Sequence, residues 1–162
     1  MNGDTRILLV EDDPQDVELT LRAFRSEKIQ SRIEIVRDGE EALDYLFRRG
    51  DYKDRPADEP PTLVLLDLKL PKIDGLQVLR EVKTSAECQS IPVIVLTSSG
   101  EQRDIAESYK LGVNSYIQKP VDIAEFRKAI RALALYWLDV NRPPFSRKAG
   151  TFPPTASPLK PQ

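Results

Sequence analysis

The sequence predicts an α/β chain, a doubly wound five-stranded parallel sheet of order 2-1-3-4-5 with helices on both faces. Three observations carry that reading. Five short apolar runs of strand length alternate with stretches of helical spacing, which calls for a parallel sheet joined by right-handed crossovers. The middle run, Leu63-Val64-Leu65-Leu66, lies between Pro60-Pro61 and Pro71 and shows no polar alternation, so it reads as a strand buried on both faces. Several of the runs end in a polar or charged residue, as expected where strand ends line a ligand crevice.

In chain order, Arg6-Ile7-Leu8-Leu9-Val10 is the first strand and runs into Glu11-Asp12-Asp13-Pro14. Pro14 suits the first turn of a helix with Asp13 as its N-cap, and Val17, Leu21 and Phe24 follow at helical spacing. Ile33-Glu34-Ile35-Val36 is the second strand, and Ala42, Leu43, Leu46 and Phe47 form one face of a helix beginning near Asp38. Residues 48–61 lack periodicity and read as a long surface loop. After the third strand and Asp67 comes a Pro-containing loop, then a helix opened by Gly75. Ile91 to Leu96 is the fourth strand and ends at Thr97; a fourth helix closes at Gly112; a fifth strand within Val113–Gln118 ends at Lys119-Pro120. A fifth helix covers about Ile123 to Leu138. Residues 1–140 are expected to form the domain, and 141–162, rich in Pro, Ser and Thr, a disordered tail.

Composition narrows the function. The 162 residues carry 24 Lys+Arg against 26 Asp+Glu, interspersed, so no basic footprint for nucleic acid is present. The N-terminus has no apolar signal segment, no stretch is long enough to span a membrane, and the single Cys88 cannot form an internal disulfide; a cytoplasmic chain is expected. With no histidine, the chain is neither a phosphohistidine carrier nor a histidine-ligated metalloprotein, and any metal must be held by oxygen.

In the predicted strand order, Glu11, Asp12, Asp67, Thr97 and Lys119 surround one crevice. Carboxylates brought so close repel, so either some take up protons or a cation sits among them. All-oxygen ligands at such a place suit Mg2+, which keeps waters for a phosphoryl oxygen to replace. Lys119 and Thr97 offer a positive charge and a hydroxyl donor to a group carrying about −1.5 to −2 charges, and Asp67 is the candidate nucleophile for an acyl phosphate.

Taken together, these residues resemble the response-regulator receiver domains of two-component signalling over about residues 5 to 138. The likeness lies in the acidic pair Glu11-Asp12, Asp67, Asp74-Gly75 downstream of Pro71, Thr97, Tyr116 and Lys119-Pro120. It implies a flavodoxin-like receiver fold and a signalling protein that accepts a phosphoryl group from a sensor histidine kinase onto Asp67, rather than a dedicated enzyme. It further implies Mg2+ held directly by Asp12 and Asp67 and by the backbone carbonyl of Lys69, with Glu11 acting through water. Thr97 and Tyr116 would form the switch, and the Lys119–Pro120 bond would be cis. No output domain is expected, and hence no DNA-binding one. A narrower similarity, in the loop before the third strand and in Tyr136-Trp137-Leu138, is to receivers associated with bacterial and cyanobacterial phytochromes.

Rival readings fail on particular residues. A haloacid-dehalogenase-type phosphatase needs an acid two residues after its nucleophile, where Lys69 stands. A flavodoxin would place a Ser/Thr/Gly phosphate loop where Glu11-Asp12-Asp13 repels phosphate. An adaptor that has lost phosphorylation would not need the intact acidic set. Finally, Ile123, Phe126, Ile130, Leu133, Trp137 and Val140 make a stripe for the sheet, while Leu135, Tyr136 and Leu138 leave the helix apolar on its other side. That second side, extended by Ile105, is expected to form a homodimer contact, against the alternative that Pro143-Pro144-Phe145 folds back over it.

Overall fold

A computed structural model describes residues 4–144. The described residues form strands β1 (Arg6–Val10), β2 (Arg32–Val36), β3 (Leu63–Leu66), β4 (Val93–Thr97) and β5 (Ser115–Gln118). They alternate with helices α1 (Pro14–Ser26), α2 (Gly39–Phe47), α3 (Gly75–Thr84), α4 (Gln102–Lys110) and α5 (Ile123–Ala134). The strands are parallel in the order β2-β1-β3-β4-β5, as the alternation predicts. The first and second strands begin about where the sequence places them, whereas β4 and β5 start two residues later than their apolar runs.

Successive side chains of a strand point to opposite faces, and the core divides accordingly. Leu8, Val10, Val64, Leu66, Val93 and Val95 pack under α2 and α3 with Ala42, Leu43, Leu46, Val78, Leu79 and Val82. Ile7, Leu9, Leu63, Leu65, Ile94 and Leu96 face the other way, onto Val17 and Phe24 of α1 and Phe126, Ile130 and Leu133 of α5. Every residue of β3 is buried, while the edge strands β2 and β5 are only partly so. Truncating a β3 leucine therefore costs about 2–5 kcal/mol, since no neighbour can collapse into a strand packed from both sides.

Local chemistry sets the helix starts. Asp13, Asp38, Asp74 and Asp122 each accept a hydrogen bond from a backbone N–H in the first turn, at 2.8–3.1 Å, which is worth about 1 kcal/mol apiece. Helix α4 is capped by Leu111 and followed by Gly112, whose φ of +98° lies in the left-handed region that glycine enters without strain. The 48–61 segment is pinned by Arg55. Its guanidinium donates to the carbonyls of Tyr45, Leu46 and Glu59 and lies over the Tyr45 ring.

Two expectations need correction here. No peptide bond among the described residues is cis, so Lys119–Pro120 is trans, the isomer that X–Pro bonds favour by about 0.5–1 kcal/mol. At the end of α5, Leu135–Val140 form a π-helical turn, closed where the Asn141 N–H donates to the Tyr136 carbonyl five residues back at 2.6 Å. The wider turn brings Leu138 into the core, where it is fully buried, so Leu138 is not part of an outer surface. Trp137 is only partly buried, and Ile123 and Val140 are exposed rather than lying on the sheet. The expected tail disorder, and Phe145 as a cover, concern residues outside those described beyond Pro144.

Cys88 is buried against Leu46, and burial pushes its thiol up to about 11. At pH 8 only about one thiol in a thousand would be ionised, so native protein should resist a thiolate-directed reagent and react fully once denatured. Quantitative alkylation of the folded protein within minutes would show that this part of the core opens readily.

Candidate functional site

The strand register builds the site. Val10 pairs with both Val36 and Leu66, so the residues that follow, Glu11 and Asp67, leave the sheet side by side. Leu66 pairs with Val95, and Thr97 with Gln118, so Thr97 closes its strand just beyond Asp67 and Lys119 comes one residue after the pair. A main-chain bond of 2.7 Å from the Lys119 N–H to the Thr97 carbonyl carries the pairing past the end of β5. The Asp67 N–H donates to the Val10 carbonyl at 3.1 Å, tying the two acidic strand ends together.

Glycine is required next to this point. A Cβ on Gly75 would lie 2.2 Å from the Asp67 carbonyl oxygen and 2.6 Å from the Leu68 Cα. The first turn of α3 can therefore press against the backbone that carries Asp67, with the Gly75 N–H donating to the Leu68 carbonyl at 2.9 Å. This is the physical content of the Asp74-Gly75 pair: the aspartate caps the helix and the glycine lets it approach.

Glu11, Asp12 and Asp67 each offer a carboxylate oxygen, and the three oxygens lie within 4.8 Å of one another. Glu11 and Asp67 are buried, whereas Asp12 faces solvent. The donor set is all oxygen, open on the Asp12 side and flanked by two backbone N–H groups: that of Lys69 donates to Asp67 at 3.4 Å and that of Asp13 to Glu11 at 3.3 Å. That is what a hard divalent cation with retained waters requires.

The Lys119 ammonium reaches into the same cluster. It donates to Glu11, to Asp16 at 3.0 Å and to Asp67 at 3.4 Å. Burial pushes the Glu11 carboxyl up to about 7, against the hydrogen bond from Lys119; the nearby Asp67 adds to the rise. Burial works to lower the Lys119 ammonium as well, but Glu11, Asp67 and Asp16 outweigh it and hold the lysine above its ordinary value. The lysine thus stays charged and balances the acids around it.

Thr97 is fully buried, and its hydroxyl accepts from the Ser99 N–H at 3.5 Å. Tyr116 is half-buried against the α2/α3 side of the core, and its hydroxyl donates to the Ser99 carbonyl at 2.8 Å. The Ser99 hydroxyl donates to Asp104 at 2.6 Å. The β4–α4 connection is thereby linked to the aromatic ring on β5 and to the first turn of α4.

Glu11, Asp12, Asp67 and Lys119 are thus brought together, and Thr97 and Tyr116 meet on the Ser99 segment. Ile105, Leu135 and Tyr136 lie away from the cluster, half-buried or exposed. Asp16 and Ser99 were missed. Asp16 is three residues after the cap Asp13, a position where an acid ordinarily signals a capping box, so its spacing pointed to the helix and not to Lys119. Ser99 left no signal, because its contribution is mostly a backbone carbonyl.

Comparison with known proteins agrees with this geometry. Residues 7–131 match the family model described as the response regulator receiver domain. The probable methanogenesis regulatory protein FilR2 of Methanothrix harundinacea (strain 6Ac) is 42% identical over 139 residues, covering 85% of this chain and 86% of that protein. The structure of the bacteriophytochrome response regulator RtBRR is 50% identical, with a TM-score of 0.70 over 86% of this chain and 84% of that one. The Mn2+-bound form of response regulator Rcp1, from Synechocystis sp. (strain ATCC 27184 / PCC 6803 / Kazusa), is 37% identical, with a TM-score of 0.79 over 86% of this chain and 99% of that one. By sequence, by fold and by the acids gathered at its strand ends, the chain belongs to the response-regulator receiver family.

Proposed function

We propose that the chain is a phosphorylation-driven switch in which Asp67 accepts a phosphoryl group from a sensor histidine kinase with Mg2+ bound by the acidic cluster. The observation that carries this is the convergence of Glu11, Asp12 and Asp67 within 4.8 Å, with Lys119 reaching Asp67 at 3.4 Å. In the transfer, an Asp67 carboxylate oxygen attacks phosphorus, forming an acyl phosphate as the bond to the histidine nitrogen breaks. Asp12 and Asp67 would hold the metal, with the Lys69 backbone carbonyl as a further ligand and Glu11 acting through water. When bound, Mg2+ neutralises charge on the carboxylates and the phosphoryl oxygens. The existence of an Mn2+-bound form of the similar protein Rcp1 supports divalent-ion binding. Lys119 supplies a point charge to the same oxygens, and the Asp67 side chain is held beside it by the Lys69 N–H.

Signalling follows from the Ser99 segment. A phosphoryl group on Asp67 gives the Thr97 hydroxyl a new acceptor, and drawing Thr97 inward moves the connection to which Tyr116 is hydrogen-bonded. The shift can be no larger than the difference in phosphate affinity between the two arrangements. The face of α4, β5 and α5 is the output surface.

For the kinase we propose a phytochrome, supported by the 50% identity to a bacteriophytochrome response regulator. For the assembly we propose a homodimer through the end of α5. Leu135 and Tyr136 are each 49% exposed, and Val140 is 59% exposed, on a turn whose inner side is filled by Leu138. Ile105 on α4 is half-buried and takes a smaller part than its spacing suggests.

Three outcomes are expected. Acetyl phosphate with Mg2+ should add one phosphoryl mass to the wild type and none to Asp67→Asn; a variant that gains it at the wild-type rate would remove Asp67 as the acceptor. Thr97→Ala should accept the phosphoryl group yet lose most of the amide-shift changes in α4 and β5, and wild-type changes in that variant would disconnect Thr97 from the switch. In sedimentation at micromolar concentration, a wild-type dimer should dissociate on Leu135→Glu with Tyr136→Glu; a dimer untouched by the pair, or a monomeric wild type, would discard this interface.

A further inference from the structure

The Lys119 ammonium has three N–H donors, and they go to three different carboxylates, of Glu11, Asp16 and Asp67. Two of those acids belong to the set whose oxygens converge within 4.8 Å, and the third, Asp16, does not. The lysine side chain is 10% exposed, so leaving its charge without a partner is costly. A divalent cation entering among Glu11, Asp12 and Asp67 takes up carboxylate oxygens that now receive the lysine and repels the ammonium itself. The protein therefore needs somewhere for Lys119 to stay.

We propose that Asp16 is that place: a positioning residue that retains the Lys119 ammonium while a divalent cation displaces it from Glu11 and Asp67. The inference rests on the reading of the acidic cluster as the metal site. Asp16 suits the task because its side chain is 33% exposed, more open than Glu11 at 3% or Asp67 at 10%. It stands in the first turn of α1, fixed by the Asp13 cap. The bond from Lys119 to Asp16 already exists, so the lysine can release the two inner acids with no change in main-chain position. Without Asp16, the ammonium would remain on Glu11 and Asp67 and compete with the metal. Asp16 thus favours metal binding without being a ligand, acting only through Lys119.

The test is a Mg2+ titration of the full chain by calorimetry at fixed pH and ionic strength. Asp16→Asn should weaken Mg2+ binding about tenfold, at the low end of what loss of a partner outside the ligand shell costs, and Asp16→Glu should restore it to within about twofold. In a Lys119→Met background, Asp16→Asn should change the affinity by less than about twofold, because the two residues act as one coupled pair. Unchanged affinity in Asp16→Asn would overturn the proposal. So would an equal loss with and without Lys119, which would make Asp16 a general source of negative field. Asp12→Ala in the same series tests the underlying reading: wild-type affinity there would show that the metal binds elsewhere, whatever Asp16 does.

Discussion

The constraint on which the site depends is the repulsion among carboxylates that the sheet forces together. Two unit charges about 4 Å apart repel by about 4 kcal/mol at the effective dielectric of a protein surface, and more where water is excluded. Glu11 and Asp67 are both buried, with Asp12 at the rim. Such an arrangement persists only with a positive charge inside it or with protons taken up. Lys119 provides the charge in this structure, while burial, with Asp67 adding to it, raises the Glu11 carboxyl. A site assembled at this cost favours any further cation that can replace the lysine and any anion that can then use the freed charge. Metal and phosphoryl chemistry follow from that electrostatic imbalance.

Much of this was legible in the sequence because parallel strands leave a simple signature. The apolar run of β3 with no alternation could only be a central strand, and acids placed after Val10 and Leu66 had to leave at the same end of the sheet. What could not be read was register. Strand order alone put Glu11 and Asp67 at one crevice, but the residue-by-residue pairing of Val10 with Leu66 depends on how the side chains of both core layers interlock, and no residue spacing states it. Asp16 was missed for a related reason: a helix-start acid looks alike whether it serves its own backbone or a lysine 103 residues away.

The end of α5 shows how far periodicity reaches. Steps of three and four placed Trp137 and Val140 on the sheet and left Leu138 outside, and that would hold for an unbroken α-helix. A single π turn adds a residue to the repeat, so Leu138 takes the core position and Val140 turns to solvent. The outer surface keeps Leu135 and Tyr136, with the Tyr136 and Trp137 rings packed edge to face at 4.9 Å. The local device that fills the core thereby also decides which apolar side chains remain exposed.

The most direct measurement is a crystal structure grown with Mn2+ and beryllofluoride, with anomalous scattering to locate the metal. Mn2+ should be bound by oxygens of Asp12 and Asp67, with beryllofluoride on the Asp67 carboxylate and Lys119 moved off Glu11 to the fluoride. Metal bound elsewhere, or beryllofluoride absent from Asp67 with Lys119 still on Glu11, would contradict a metal and phosphoryl site at the acidic cluster.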